Sequence, residues 1–279
     1  SLAYFRTFRK VPVAWEINAP VAEGVILGEY GIDECAKRTA IATRECAEIS
    51  VGFCVSREIE QYAKTTLRLE NAIYVPNGGD CGKFKDWMTS RADNRSHVGV
   101  NVLWMGSGKF PWEGHRQILS IASELCRRVP TIQFTFIGGG KELVTESNPQ
   151  IRHLGVVPHD ELSRHLAAAD ICLCIYDVSA FGEFGFYNSP LKLYEYMAAG
   201  RAIIASNVGE IARTLVDQVD GILVGPDRSE IEDAIMRLLN DPDLRERLGK
   251  NARKKAEQFY NWDRVAHQTT TELERICSQ

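Results

Sequence analysis

The feature that most constrains this chain is a long alternation of short apolar runs with helix-like stretches. Strands are expected over 100–105, 133–137, 152–154, 171–176, 202–205 and 221–224. Helices are expected over 115–128, 160–168, 190–199 and 210–217, and again from 229 onward. An earlier stretch repeats the pattern, with strands over 11–15, 51–56 and 72–75 around helices over 33–49 and 57–66. Apolar runs this short, bounded by turn residues, read as buried strands. Strands that alternate with helices imply parallel sheets with crossover helices on both faces, which is an α/β fold.

In such sheets ligands bind beyond the carboxyl ends of the strands, so the residues after each strand carry the interest. At about 150 residues per domain, 279 residues suggest two domains. Residues 82–97 are polar and charged without sustained periodicity, and the boundary is placed there. The expected division is 1–85, 86–260 and a closing helix over 261–279. The first unit shows about three strands, too few for a complete doubly wound sheet. The expectation is therefore that its opening half is absent or is supplied by another chain.

Charge and cysteine usage narrow the function. Thirty-three basic against thirty-seven acidic residues give a net charge of −4, so no global positive field exists to hold nucleic acid. No apolar stretch approaches the roughly 18 residues of a membrane span, and no basic-then-apolar leader opens the chain. The eight cysteines include no CxxC pair and read as small core residues with reduced thiols, which suits a cytoplasmic setting. The six histidines show no metal-site spacing, so no metal dependence is expected. Phe5-Arg-Thr-Phe-Arg-Lys10 is a short basic-aromatic stretch, read as a solvated helix end rather than a membrane anchor.

The most informative segment is Ser189-Pro-Leu-Lys-Leu-Tyr-Glu-Tyr-Met-Ala-Ala-Gly200. Ser189 suits an N-cap, Pro190 the first helical position, and Gly200 the position just past the end. A helix amino end presents unpaired N–H groups and partial positive charge to whatever precedes it, and a diphosphate would fit. Lys192 and Glu195 share one face, where they serve either as phosphate cation and ribose carboxylate or as a surface ion pair. Gly106-Ser-Gly-Lys109 is too short in spacing for an ATPase loop. The run Gly138-Gly-Gly140 closes a strand where close backbone approach is needed, with a tight turn as the plain alternative.

These segments together resemble the retaining glycosyltransferases of the GT-B fold, family four, often called group 1 glycosyltransferases. The resemblance rests on the 189–200 run, on Asp170-Ile-Cys-Leu-Cys-Ile-Tyr176 before it, on Arg201-Ala-Ile-Ile-Ala-Ser206 and Asp220-Gly-Ile-Leu-Val224 after it, and on Val75-Pro-Asn-Gly78 and Tyr260-Asn-Trp262. It implies two Rossmann-like domains, with the donor domain complete and the acceptor domain represented by its last part. The closing helix would then cross back toward the first domain. In that family two glutamates eight positions apart flank sugar and ribose. Glu195 matches the second, whereas Tyr187 stands at the register of the first, leaving Glu183 as a candidate to reach the sugar or as a solvated loop carboxylate.

The same resemblance sets the loop Gly106–Gly114 against the donor phosphates, with the usual Arg and Lys replaced by Ser107 and Glu113 and Lys109 the nearest cation. Gly138 and Gly139 would border the nucleotide. The backbone around Val156 would read the base, and Asp160 is a candidate N-cap beyond it. Asn18, with Glu16 before it, falls where relatives carry an acceptor-facing histidine. The expected activity is transfer of a hexose from a UDP- or GDP-linked donor to a glycan or lipid-linked acceptor, in a cleft between the domains. No cofactor is expected. Lys109, Lys192 and Glu183 are the candidate catalytic residues, and Ser189, Pro190, Leu191, Lys192 and Glu195 join the glycines in holding the donor. Cytoplasmic placement extends to peripheral contact with the inner face of a membrane. The alternatives are a catalytically weak nucleotide-sugar-binding subunit completed by another chain or a missing amino-terminal half, and an NAD-dependent enzyme. The latter is disfavoured because no glycine loop is followed by a ribose acid at the required distance.

Overall fold

A computed structural model describes residues 11–84, 99–139 and 148–278. The basic-aromatic stretch at 5–10, most of the boundary segment 82–97 and Gly140 lie outside the described residues. Strands are β1 (Ala14–Ile17), β2 (Val51–Cys54), β3 (Ala72–Tyr74), β4 (Val100–Met105), β5 (Ile132–Ile137), β6 (Ile151–His153), β7 (Ile171–Cys174), β8 (Ala202–Ser206) and β9 (Ile222–Val224). Helices are α1 (Glu23–Ile26), α2 (Ile32–Cys46), α3 (Arg57–Thr65), α4 (His115–Arg128), α5 (His159–Ala168), α6 (Leu191–Ala198), α7 (Gly209–Thr214), α8 (Arg228–Asn240), α9 (Pro242–Phe259) and α10 (Trp262–Cys277). The four-residue α1 has no counterpart in the periodicity, because a single turn is too short to set one.

Two compact units result. The first comprises residues 1–77, 181–189 and 262–279, the second 78–180 and 190–261. In the first, β1, β2 and β3 pair in parallel in that order. Val51, Phe53, Val75 and Ile276 form a small core there, so the apolar side of α10 is buried within this unit. Ser56 caps α3 by accepting from the Ile59 N–H at 3.2 Å, as serine does at helix amino ends.

The second unit carries a six-stranded parallel sheet in the order β6-β5-β4-β7-β8-β9. Strands β4, β7 and β8 are buried along nearly their whole length, as expected of parallel strands covered by helices on both faces. Val102, Trp104, Leu125, Phe134, Leu173, Ile204 and Ile235 belong to one continuous core. Asp241 caps α9 through the Leu244 N–H at 2.8 Å, with Pro242 at the first helical position. Gly200 ends α6 at φ +63°, in the left-handed region a C-terminal glycine supplies without strain.

All eight thiols are free, and six of them are buried. Burial pushes the Cys126 thiol up to about 11, so it behaves as a small apolar group.

Leu125 lies on α4 and is fully buried. Leu125→Ala should cost about 2–5 kcal/mol, read as a lower urea midpoint for the transition of the second unit, with the far-UV signal of the native state retained.

Candidate functional site

In the six-stranded sheet the strand order reverses between β4 and β7, and the loops beyond their carboxyl ends form the crevice in which such sheets bind ligands. Three of these loops meet backbone to backbone. Gly138 has φ +78°, and its N–H donates to the Gly155 carbonyl at 2.7 Å. A Cβ at Gly138 would lie 2.0 Å from the Gly106 carbonyl oxygen. Gly106 and Gly138 are thus brought together, and the turn after β5 packs on the turn after β4 through a contact that only glycine permits. Val156 follows with its side chain 88% exposed.

The loop over 106–114 is stapled from inside. The Glu113 carboxylate accepts from the Ser107 N–H at 2.8 Å, from the Ser107 hydroxyl at 2.9 Å and from the Phe110 N–H at 3.4 Å. Glu113 is buried, closing the short 3-10 turn Pro111–Glu113. The two positions where the resemblance led us to expect cations therefore bond to each other, and the loop brings a negative charge. Phe110 stacks on Trp112 at 4.9 Å with planes 6° apart.

That negative charge faces a buried positive one. Lys192, on α6, is only 8% exposed, and its Nζ has no hydrogen-bond partner among the described residues. The ammonium lies 5.1 Å from the ring centre of Trp104 and 5.0 Å from that of Tyr176. Ring faces attract a cation but offer no lone pair. Burial holds its pKa below the usual lysine value, opposed by the fields of Cys174 and Glu113. The aromatic slot explains why Lys192 is no surface ion pair. Spacing alone could not show this, since Trp104 comes from β4 and Tyr176 from the loop beyond β7.

Two helix-boundary expectations are corrected here. α6 begins at Leu191 with Pro190, not Ser189, at the cap position, and no side chain caps it. The backbone at Pro190 is extended, with ψ 114°, which moves the start one residue along. Likewise Pro158, not Asp160, precedes α5, leaving Asp160 in its first turn. Leu191 is 54% exposed at the opening of α6.

Glu195, one turn further along α6, is half-buried, and burial raises its pKa. The Asp80 N–H, the Lys83 ammonium and His159 oppose that rise. Lys83 Nζ lies 2.8 Å from His159 Nε2 and 3.5 Å from an Asp80 carboxylate oxygen. Lys83 and His159 are neighbours that motif reading missed; the Pro-Asn-Gly-Gly-Asp turn before Lys83 was the available signal. Gly79 lets that turn lie against α6, where a Cβ would come within 2.3 Å of the Tyr194 carbonyl.

Lys109 faces elsewhere. It lines a cavity of about 870 Å³ together with Phe110, His115, Arg116, Tyr176 and Asp177, a lining that includes neither Lys192 nor Glu195. Arg116 is a cation the sequence reading did not single out. His115 and His153 are held below the usual histidine value by burial, and His115 Nδ1 and His153 Nε2 have no hydrogen-bond partner.

In the first unit, Glu183 is exposed on the 3-10 segment Val178–Phe184. Ser189 is buried, and its carbonyl accepts from Asn77 at 2.9 Å. Asn18 donates to Glu16 at 3.1 Å on the surface. Tyr187 is buried and its hydroxyl donates to Glu23 Oε1 at 3.2 Å. Among the described residues no group of three or more His, Cys, Asp or Glu is placed to hold a metal ion, and no helix is long and apolar enough to cross a membrane.

Comparison with known proteins gives these features a family context. The family profile described as "Glycosyl transferases group 1" matches residues 99–241. Phosphatidyl-myo-inositol mannosyltransferase of Mycobacterium tuberculosis is 28% identical, with 94% of this chain and 72% of the relative covered. The Mycolicibacterium smegmatis protein of the same name is 27% identical over 74% of this chain and 52% of its own, so the chain spans about half to three quarters of the length of these relatives. Among solved structures, sucrose-phosphate synthase of Thermosynechococcus elongatus shares the fold with TM-score 0.71 at 20% identity, covering 95% of this chain and 68% of that one. An Anabaena protein in complex with UDP and glucose shares it with TM-score 0.73 at 17% identity, covering 94% and 71%. These structures are GT-B glycosyltransferases, so the fold class is confirmed.

A buried, unpartnered cation has a stability signature. Because its folded pKa is lowered, the folded state releases the proton first, and stability should rise with pH between that lowered value and 10.5. Subtracting the profile of Lys192→Met from that of the ligand-free protein should isolate this rise. The variant itself should be more stable at neutral pH, by about the 1–4 kcal/mol seen when apolar residues replace buried ionic groups. Glu113→Ala should speed amide exchange at Ser107 and Phe110, whose N–H groups lose their acceptor.

Proposed function

The chain belongs to the group 1 glycosyl transferases, and within that family we propose that it moves a hexose from a nucleoside diphosphate sugar to a hydroxyl acceptor with retention of configuration. The observation that carries this reading is the Lys192 ammonium, buried and without a hydrogen-bond partner, on the first turn of α6. A diphosphate supplies the oxygen acceptors it lacks, and the first N–H groups of the helix add theirs.

The other residues fall into roles around that anion. Glu195 takes the ribose hydroxyls, its half-buried carboxylate being suited to neutral donors. The exposed Val156 side chain gives the base an apolar face, and the glycine contacts among the turns at 106, 138 and 155 let backbone approach the nucleotide. Lys109 supplies a second cation beside the loop, and Glu183 is kept as the candidate carboxylate for the sugar. As the bond from sugar to phosphate breaks, negative charge grows on the departing diphosphate. Preorganised positive groups are worth about 3 kcal/mol each at such a centre. The departing phosphate oxygen then accepts the proton of the attacking hydroxyl. We assign the charge-stabilising role to Lys192 and Lys109 rather than to a metal ion or cofactor.

The donor nucleotide we favour is UDP or GDP, supported by the UDP complexes among the structural neighbours and by a GDP-mannose-dependent mannosyltransferase of Corynebacterium glutamicum among the relatives. The acceptor we favour is a glycan or lipid-linked glycan, in keeping with the phosphatidyl-inositol relatives, with peripheral membrane contact during transfer. Eight free thiols support a reducing, cytoplasmic compartment. The Glu113 carboxylate, where a cation was expected, favours a second reading: a donor-binding subunit of low turnover.

A thermal-shift screen against UDP, GDP and ADP sugars should show one nucleotide raising the midpoint, since a ligand stabilises the state it binds. Lys192→Met should lose that rise, and Glu195→Ala should weaken binding at least about tenfold, the worth of one charged hydrogen bond. Unchanged calorimetric affinity in both variants would remove the basis of the proposal. Donor consumption in the presence of acceptor extracts separates the enzyme from the low-turnover subunit.

A further inference from the structure

In the second unit the strand order β5-β4-β7-β8 sends two crossovers in opposite directions. α4 carries the chain from β4 out to β5, and α6 carries it from β7 out to β8. Because crossovers between parallel strands are right-handed, the two helices cover opposite faces of the sheet, α4 beside α8 and α6 beside α9. The cavity of about 870 Å³ that Lys109 lines is bounded by the first turn of α4, the residues beyond β7 and Pro226 ahead of α8, so it lies on the α4 side. Of the residues given donor roles above, only Lys109 lines it.

Its walls are braced against one another. Gly114 has φ +65°, and a Cβ there would come within 2.9 Å of the Ile175 carbonyl oxygen, so α4 starts hard against the end of β7. The Asp177 N–H donates to the Trp112 carbonyl at 2.9 Å, and Gln117 Nε2 donates to the Pro226 carbonyl at 3.2 Å. Three separate loops thus frame a space of the size that small-ligand sites occupy.

What the walls present is unsatisfied. No side chain caps α4, and its first turn holds no acidic residue. The N–H groups of His115, Arg116 and Gln117 have no acceptor among the described residues. Lys109 and Arg116 are exposed, and neither forms an ion pair among the described residues. His115, in the same wall, is 7% exposed with Nδ1 unpartnered. Phe110 is backed by Trp112 at 4.9 Å and remains 42% exposed. Asp177 uses one oxygen only: Oδ1 accepts from the Ser179 N–H at 3.0 Å and from its hydroxyl at 2.5 Å, and Oδ2 has no donor among the described residues.

Two unpaired cations at an uncapped helix start call for an anion. A bare anion would leave the Phe110 ring and Asp177 Oδ2 unused. A phosphomonoester carried on a sugar or polyol ring answers all three, since its phosphate accepts from cations and N–H groups, its C–H face suits an aromatic ring and its hydroxyls donate. We propose that this cavity is a second ligand site, separate from the donor slot at Lys192, and that it takes a sugar or polyol monophosphate. Arg116 and the opening of α4 hold the phosphate, with Lys109 beside them, and Phe110 and Asp177 hold the ring. Binding there does not require the sugar-transfer reading to hold, because no group unique to the donor slot takes part.

The test is calorimetry and thermal shift on the full chain with glucose 6-phosphate, mannose 1-phosphate and inositol 1-phosphate, each beside its unphosphorylated parent, and with inorganic phosphate. At least one monophosphate should bind and raise the midpoint, whereas its parent should bind at least about tenfold more weakly. Arg116→Glu, an exposed change, should lower that affinity at least about tenfold, and Phe110→Ala should bring it down to that of inorganic phosphate. Lys192→Met and saturating nucleoside diphosphate should leave it unchanged. Displacement by the nucleoside diphosphate together with loss in Lys192→Met would put the anion in the donor slot and overturn the proposal. Unchanged affinity in Arg116→Glu, or no binding by any of the three monophosphates, would overturn it as well. Failure of nucleoside diphosphate to bind, with monophosphate binding intact, would count against the sugar-transfer reading alone. Sedimentation with phosphatidylcholine vesicles, with and without phosphatidylinositol, separates the sources: Arg116-dependent sedimentation only with the inositol lipid identifies a lipid headgroup, and binding of the free ester without sedimentation identifies a soluble one.

Discussion

A positive charge removed from water without a hydrogen-bond partner is the constraint around which the second unit is organised. Trp104 from β4 and Tyr176 beyond β7 hold Lys192 between their rings, and those strands are neighbours at the point where the sheet order reverses. The attraction of the rings and of Glu113 offsets part of the desolvation and leaves the ammonium short of acceptors. An anion would supply the acceptors that this group lacks, which is the basis of the proposed donor site. The same trade between stability and function is common at binding sites.

Glu113 shows how the charge balance around that lysine was redistributed. A cation in its place would add to the positive field at the loop, whereas the carboxylate lowers it and uses both of its oxygens on backbone and serine donors. The loop becomes rigid, and less of the phosphate field comes from it. In the proposed reading Lys192 and the first turn of α6 hold more of the burden, with Lys83 placing further positive charge beside Glu195. Lys109, facing the cavity with Arg116, contributes at longer range, where screening by water and salt weakens it.

The glycine contacts among the three turns set how close a ligand can come. Backbone atoms at 106 and 138 pack where a side chain would clash, so the surface in front of them is polypeptide rather than side chain. Such surfaces recognise shape and hydrogen-bonding groups without charge, which suits a sugar or a base. In the proposed reading the buried lysine beside them supplies the charge that a phosphate needs.

The alternation of apolar runs with helical stretches was enough to set the fold class, the all-parallel pairing and the strands and helices of the second unit to within a few residues, because strand and helix periodicity is a local property. It also marked the segment from Ser189 to Gly200, since proline and glycine restrict backbone angles wherever they stand. It placed the start of α6 one residue early, as Pro190 adopts the extended angle allowed to a cap. What periodicity did not carry was which side chains would be buried together. Lys192 reads as a surface residue until Trp104 and Tyr176 close over it. Glu113 reads as a lost cation until its oxygens meet Ser107 and Phe110, and the partnership of Tyr187 with Glu23 spans more than 160 positions. Desolvation and hydrogen bonding between distant positions depend on how the sheets bring loops together, and that is decided only when the chain is folded.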